Sequence, residues 1–371
     1  MIYLDYNATA PLRPSVRAAM EALGDAPLNP ASVHAAGRHA KKLLEDARGV
    51  IAASLSAFAN EVLFVSSGSE ANNMVLRGFA PTHTLLVSAV EHASISKSGA
   101  LLGAGVIPVD AHGVVDLEAL EKMLGAVSRP ALVSVMLANN ETGVIQPVAE
   151  IARIVHAQGG LLHCDAVQAL GKIPLDWGLL GADMLTISAH KAGGPVGAAA
   201  LLIRSDLPIR PLITGGGQEL GRRAGTENIH AIVGFAALVG EVKTCPEAAQ
   251  WAQWRAWLVA ELTTAAPEAR VMGSTNHECL PQTLCITMPG VKAETQLMHF
   301  DLAGFAVSAG SACSSGRIAA SHVLTAMGVA PTLADTAIRI SWGWATKREE
   351  IEAFAVAWKL AAAKLGKPKT A

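Results

Sequence analysis

The chain has 371 residues, a formal net charge of -2, and basic residues scattered along its length, which argues against a nucleic-acid stripe or a membrane-seeking patch and favours a small-molecule substrate. No uncharged apolar run reaches the roughly 18 residues of a membrane span, and the amino terminus "MIYLDYNATAPLRP" lacks a basic region followed by an apolar one, so the expectation is a cytoplasmic protein with no DNA or membrane partner. Five cysteines (164, 245, 279, 285 and 313) with no CxxC pair argue against a disulfide framework and a structural zinc site.

In chain order, "EVLFVSSGSEANNMVLRGF" passes from an apolar strand at 62–65 through a small-residue turn, containing Gly68 and Ser69, into a helix. "TLLVSAVEHASI" supplies the next strand, and 131–143, 160–172 and 183–203 repeat the pattern, each apolar run ending in a polar cluster. Unalternated apolar strands separated by helices predict a mostly parallel sheet covered on both faces, with ligands at the carboxyl ends of its strands. From about residue 245 the character changes. "WAQWRAWLVAEL" places Trp251, Trp254, Leu258 and Leu262 on one helical face for packing, and 283–308 and 336–343 read as strands of a smaller α+β lobe. In "TAIRISWG" the alternation sets Ile338, Ile340 and Trp342 on one face and Arg339 with Ser341 on the other.

Three strand ends carry chemistry. In "SAHKAGGPVG", Ser188, His190 and Lys191 close an apolar strand; a lysine there is either a Schiff-base former or an exposed loop residue. Asp165 in "HCDAVQALGK" is either the partner of a pyridinium nitrogen or a helix N-cap, with Gln168 three residues on. Gly68 and Ser69 supply backbone N–H groups at a helix start, a cup for phosphate. Together they describe a fold-type I pyridoxal-phosphate enzyme. No histidine shows ligand spacing, and no metal is assigned. Cys313 sits apart, in the glycine- and serine-rich stretch "SAGSACSSG", where a thiol is either inert or has to move.

The chain resembles the class V aminotransferase superfamily and, within it, the NifS/IscS-type cysteine desulfurases. The matching stretches run from "YLDYNATAP" through "NPASVHAAGRHA", "SSGSEANN", "VEHASI", "NNETGVIQP", "HCDAVQALGKIPLD", "SAHKAGGPVG", "GGGQELGRRAGTEN" and "GSACSSG" to "IRISWG". The resemblance implies a large domain (15–245) built on a mostly parallel seven-stranded sheet and a small α+β domain (1–14 and 246–371) that carries the catalytic cysteine. It implies pyridoxal 5'-phosphate bound through Lys191, with Asp165 on the ring nitrogen, Gln168 facing the ring hydroxyl and His92 stacked on the ring to assist proton transfer. Gly68, Ser69, Ser188 and His190 would hold the phosphate, and Thr226 would reach the cofactor of a second subunit in a homodimer. Asn140 and Arg339 would grip the carboxylate of L-cysteine. Cys313 would take the sulfur as a persulfide, leaving L-alanine, and pass it to an acceptor protein, an iron-sulfur scaffold or a sulfur carrier. A selenocysteine lyase, an aminotransferase and an inactive sulfur-carrier or scaffold partner are the competing readings. Val196, Ala199 and the "RIAA" at 317–320 depart from the family pattern.

Overall fold

The computed structural model describes residues 1–273, 278–310 and 321–366. Its central sheet has seven strands in the order Val62–Val65, Ala199–Ile203, Met184–Ser188, Leu161–Asp165, Ala131–Met136, Thr84–Ser88 and Gly105–Ile107. Ala199–Ile203 runs antiparallel to both neighbours, and every other adjacent pair is parallel. The apolar runs have no polar alternation because both faces are covered. Val62 and Phe64 belong to one core, while Leu63 and Val65 belong to the core on the opposite face. The carboxyl ends of Val62–Val65, Thr84–Ser88, Ala131–Met136, Leu161–Asp165 and Met184–Ser188 lie along one edge, so the polar cluster after each strand faces the same side.

A third core gathers around a four-stranded antiparallel sheet ordered Ser308–Ala309, Ala337–Ser341, Thr283–Thr287 and Val271–Met272. The helices Ala248–Ala265 and Arg348–Leu365 pack on it, burying Trp251, Leu258 and Leu262 as the helical stripe predicts. Ile338, Ile340 and Trp342 are fully buried in the same core. The amino terminus joins it too: Ile2–Tyr3 pairs in parallel with Phe305–Ala306, and Leu4 is buried there. One expectation is corrected. Residues 283–308 are not strands throughout, because Ala293–Leu302 forms a helix.

A buried ion pair ties the loop at 219 to the edge of the large sheet. Arg48 donates to both carboxylate oxygens of Glu219, at 2.9 and 3.0 Å, and to the carbonyl of Val62, while Glu219 also accepts from the amide of Phe64. This network holds Glu219 and Leu220 in left-handed backbone (φ 45° and 59°), a conformation that is unfavourable for residues with a side chain. Removing one member strands the other charge away from water. Glu219→Ala is therefore expected to lower unfolding free energy by about 3 kcal/mol or more in denaturant titrations.

Candidate active site

A cavity of about 440 Å³ opens at the shared strand edge, and its wall is drawn from both sheets. Lys191, Asp165, His92, Gln168, Gly68, Ser69, Ser188, His190, Asn140 and Arg339 all line it. Thr226 does not; it lies exposed on the segment after Gly225. Cys313 falls outside the described residues, but Ser308, Ala309 and Gly310, which lead into its segment, form part of the cavity wall.

Lys191 follows Met184–Ser188 on a single 3-10 turn. Its Nζ donates to the carbonyls of Asn7 and Ala8 at 2.9 and 2.8 Å, and among the described residues no carboxylate pairs with it directly. Burial, reinforced by the nearby Arg339 guanidinium, pushes its pKa down to about 8. Such an amine has a sizeable neutral fraction near neutrality, the form that attacks an aldehyde.

Asp165 ends its strand and accepts from Asn72 Nδ2 at 2.7 Å and from the amide of Val167 at 3.0 Å. The Val167 bond closes a short turn rather than capping a helix, since no helix follows Asp165 until Trp177–Leu180. Its carboxyl is held above the usual range, chiefly by burial. A cationic ring nitrogen against it is the kind of partner that would reverse that cost.

The anion-binding end is built by the helix Gly68–Phe79. Ser67 caps it by accepting from the amide of Glu70, and the amide of Ala71 bonds the carbonyl of Ser67. The amides of Gly68 and Ser69 remain for a ligand. A Cβ on Gly68 would lie 2.9 Å from Val167 Cγ2, so glycine keeps this floor open. Glu70 in the same turn would repel an anion, but Arg223 donates to it at 2.8 Å. His190 is held neutral, its pKa pushed down to about 4 by burial and then by Lys191.

His92 caps the helix Ala93–Leu101, its Nδ1 accepting from the amide of Ser94 at 3.2 Å. That contact leaves the proton of the neutral ring on Nε2. Burial also lowers its pKa. On the small-lobe side, Arg339 donates to the carbonyl of Asn140 at 2.9 Å and to Asp5 at 2.7 Å, while its buried Nε has no partner among the described residues. A guanidinium lining the cavity suits a carboxylate. Asn139, by contrast, is used internally, accepting from the amides of Glu141 and Thr142.

Four residues that shape the site were not singled out in the sequence. Asn7 joins Lys191, Gln168 and Lys172 to Asn140, Thr283 and Ser341. Asn72 orients Asp165; it lies one helical turn beyond Gly68, a spacing that could have been read. Lys172 lies buried behind the cavity. Glu141, also buried, accepts from Ser321 Oγ at 2.5 Å and sits 2.4 Å from where a Cβ on Gly310 would be.

The matched family model, aminotransferase class-V, covers residues 2–354. The chain is 38% identical over 363 residues to the cysteine desulfurase IscS of Dictyoglomus turgidum, covering 94% of this chain and 91% of that protein. It is 40% identical to a cysteine desulfurase of Klebsiella pneumoniae, over 95% of this chain and 90% of that one. Among solved structures, a NifS-like protein from Rickettsia africae superposes with a TM-score of 0.90 at 39% identity, covering 97% of this chain and 99% of its own. The chain belongs to the class-V aminotransferase family. Members of this family depend on pyridoxal phosphate, and the cavity fits that cofactor: a reactive amine, a buried carboxylate and a glycine-floored helix end meet around one space. No helix among the described residues is long and apolar enough to cross a membrane.

Two outcomes follow for this site. Below pH 8 the Lys191 ammonium predominates, so aldehyde capture by the cofactor-free protein, trapped with borohydride and read by mass, will rise about tenfold from about pH 6 to 7 and flatten above about 8. That step will be missing in Lys191→Ala. Gly68→Ala will weaken cofactor retention by about tenfold in equilibrium dialysis, since crowding of this kind costs about 1–3 kcal/mol.

Proposed function

We propose that the protein is a cysteine desulfurase, a pyridoxal-phosphate enzyme that removes sulfur from L-cysteine, releases L-alanine and holds the sulfur as a persulfide on Cys313. One observation carries this reading: Lys191, Asp165, the Gly68 and Ser69 amides and Arg339 converge on a single cavity whose wall includes Gly310, three residues before Cys313. The similarity to proteins named cysteine desulfurase, at 38–40% identity over nearly the whole chain, supports it. A solved relative at 28% identity with a TM-score of 0.80 is described in complex with cysteine.

In this mechanism Lys191 and Asp165 would hold the cofactor, with Gln168 toward its ring oxygen and His92 toward its ring, and Gly68, Ser69, Ser188 and His190 would hold its phosphate. When bound, pyridoxal phosphate supplies an electron sink for charge that develops on the substrate. Arg339, with Asn140, fixes the substrate carboxylate and so places the Cα–H bond toward Lys191. Lys191 Nζ, free to be neutral, takes the Cα proton. His92 exchanges a proton at the substrate sulfur through Nε2. The Cys313 thiolate then attacks that sulfur: a sulfur–sulfur bond forms, the carbon–sulfur bond breaks with its electron pair left on carbon, and protonation of that carbon, with return of a proton to Cα from Lys191, gives alanine.

Residues 15–245 serve as the cofactor-binding domain, with 1–14 and 246–371 supplying the substrate arginine and the cysteine. The working unit is a homodimer in which Thr226, exposed and away from its own cavity, reaches the partner's cofactor. The persulfide passes to an acceptor protein, an iron-sulfur scaffold or a sulfur carrier. Buried thiols at Cys164 and Cys285 suit the reducing cytoplasm.

The test is to supply L-cysteine and measure alanine and sulfide. Cys313→Ala will lower both rates by roughly a hundredfold or more while keeping the cofactor's colour, and Lys191→Ala will lose both activities. Parent-like rates in Cys313→Ala would show that no persulfide forms on this residue.

A further inference from the structure

Lys172 is a buried amine that the mechanism above leaves unused. It is 4% exposed, and no ion pair joins it to a carboxylate among the described residues. The charged groups that bear on it are cations, Lys191 and Arg339, and burial with their repulsion pushes its pKa far down. A lysine is costly to bury in such company. Its hydrogen bonds give the placement a purpose.

Nζ donates to Asn7 Oδ1 at 2.9 Å and, through a short contact, to Gln168 Oε1. Backbone carbonyls only accept, so the Asn140 and Asn7 carbonyls take the amide nitrogens of Asn7 and Gln168 and leave both amide oxygens turned toward Lys172. Both amides are thereby fixed. Asn7 Nδ2 points to Thr283 Oγ1 and the Asn140 carbonyl, and Gln168 Nε2 donates to the Asn7 carbonyl at 2.9 Å. Gln168 lines the cavity, and its nitrogen carries a second hydrogen that the Asn7 carbonyl does not take. The Asn7 carbonyl holds the nitrogen end of the Gln168 amide, and Lys172 is the partner that holds its oxygen end.

We propose that Lys172 is a positioning residue that locks Gln168 as a hydrogen-bond donor toward the ring oxygen of the cofactor. The proposal rests on the cofactor reading above. A donor at that oxygen stabilises its deprotonated form, whereas a flipped amide would set oxygen against oxygen.

The experiment is a pH titration of the cofactor's visible absorption in the holoenzyme, for the parent, Lys172→Met, Lys172→Gln and Gln168→Ala. Both changes at 172 remove the amine, but glutamine still donates to Gln168. In Lys172→Met the midpoint is expected to move upward by a pH unit or more, a tenfold gain in proton affinity. Lys172→Gln is expected to stay nearer the parent, and Gln168→Ala to add little to Lys172→Met when combined with it. Equal shifts for Met and Gln at 172, or full additivity with Gln168→Ala, would overturn the proposal. So would a variant that only unfolds at lower temperature with its midpoint unmoved. Should Lys172→Met not fold, Lys172→Gln combined with Gln168→Ala gives the same reading: a midpoint equal to that of Gln168→Ala alone supports the lock, and a further shift refutes it. A parent that gains no visible band with added pyridoxal phosphate would instead sink the cofactor reading, and this proposal with it.

Discussion

The amine of Lys191 is held by two backbone carbonyls, those of Asn7 and Ala8, and the rest of the site is organised around that contact. Carbonyls orient an amine without stabilising its charge as a carboxylate would, so the group stays in place and remains easy to deprotonate. The two carbonyls come from the amino-terminal segment, which is itself anchored in the small-lobe core through Leu4 and the pairing of Ile2–Tyr3. The reactive lysine of the large sheet is thus positioned by the smaller one. Asn7 extends the same link to Ser341, Thr283 and Asn140, so the relative placement of the two sheets and the geometry of the cavity are set by one hydrogen-bonded cluster.

The electrostatics of the cavity follow from what it excludes. Lys191, Lys172 and Arg339 are gathered in a small buried volume with Asp165 and Asp5 as their nearby carboxylates. Beyond burial, Arg339 lowers the proton affinity of Lys191, and Lys191 and Arg339 both lower that of Lys172. The arrangement suits ligands that bring negative charge. Arg339 is already oriented by Asp5 and the Asn140 carbonyl, so little side-chain freedom is left to lose when a carboxylate arrives.

Much of this architecture was legible in the sequence because it rests on local pattern. Strands buried on both faces write themselves as unbroken apolar runs, and the polar residue that ends each run lies at the ligand edge, as Asp165 and Ser188 do. The alternation placed Arg339 on the face opposite Ile338 and Ile340, which are buried in the core, whereas its role toward a carboxylate came only from the family resemblance. The helix Ala293–Leu302 was missed because its buried stripe, Ala293, Gln296 and Phe300, has a polar residue at its centre. Gln296 is tolerated there by donating to the carbonyls of Val291 and Thr336, a contact with no sequence signature. Asn7 and Lys172 were missed for a related reason. Their partners lie up to 334 positions away, and an isolated Asn or Lys carries no sign of them.

Glu141 meets both ends of the segment that bears Cys313: it accepts from Ser321, and Gly310 approaches it too closely to carry a side chain. His322, next in the chain, is bonded to the carbonyl of Glu91, beside His92. The two ends are therefore tied to the cavity independently of what joins them. A single buried carboxylate thus serves Gly310 and Ser321 at once, and a change at Glu141 would be felt at both.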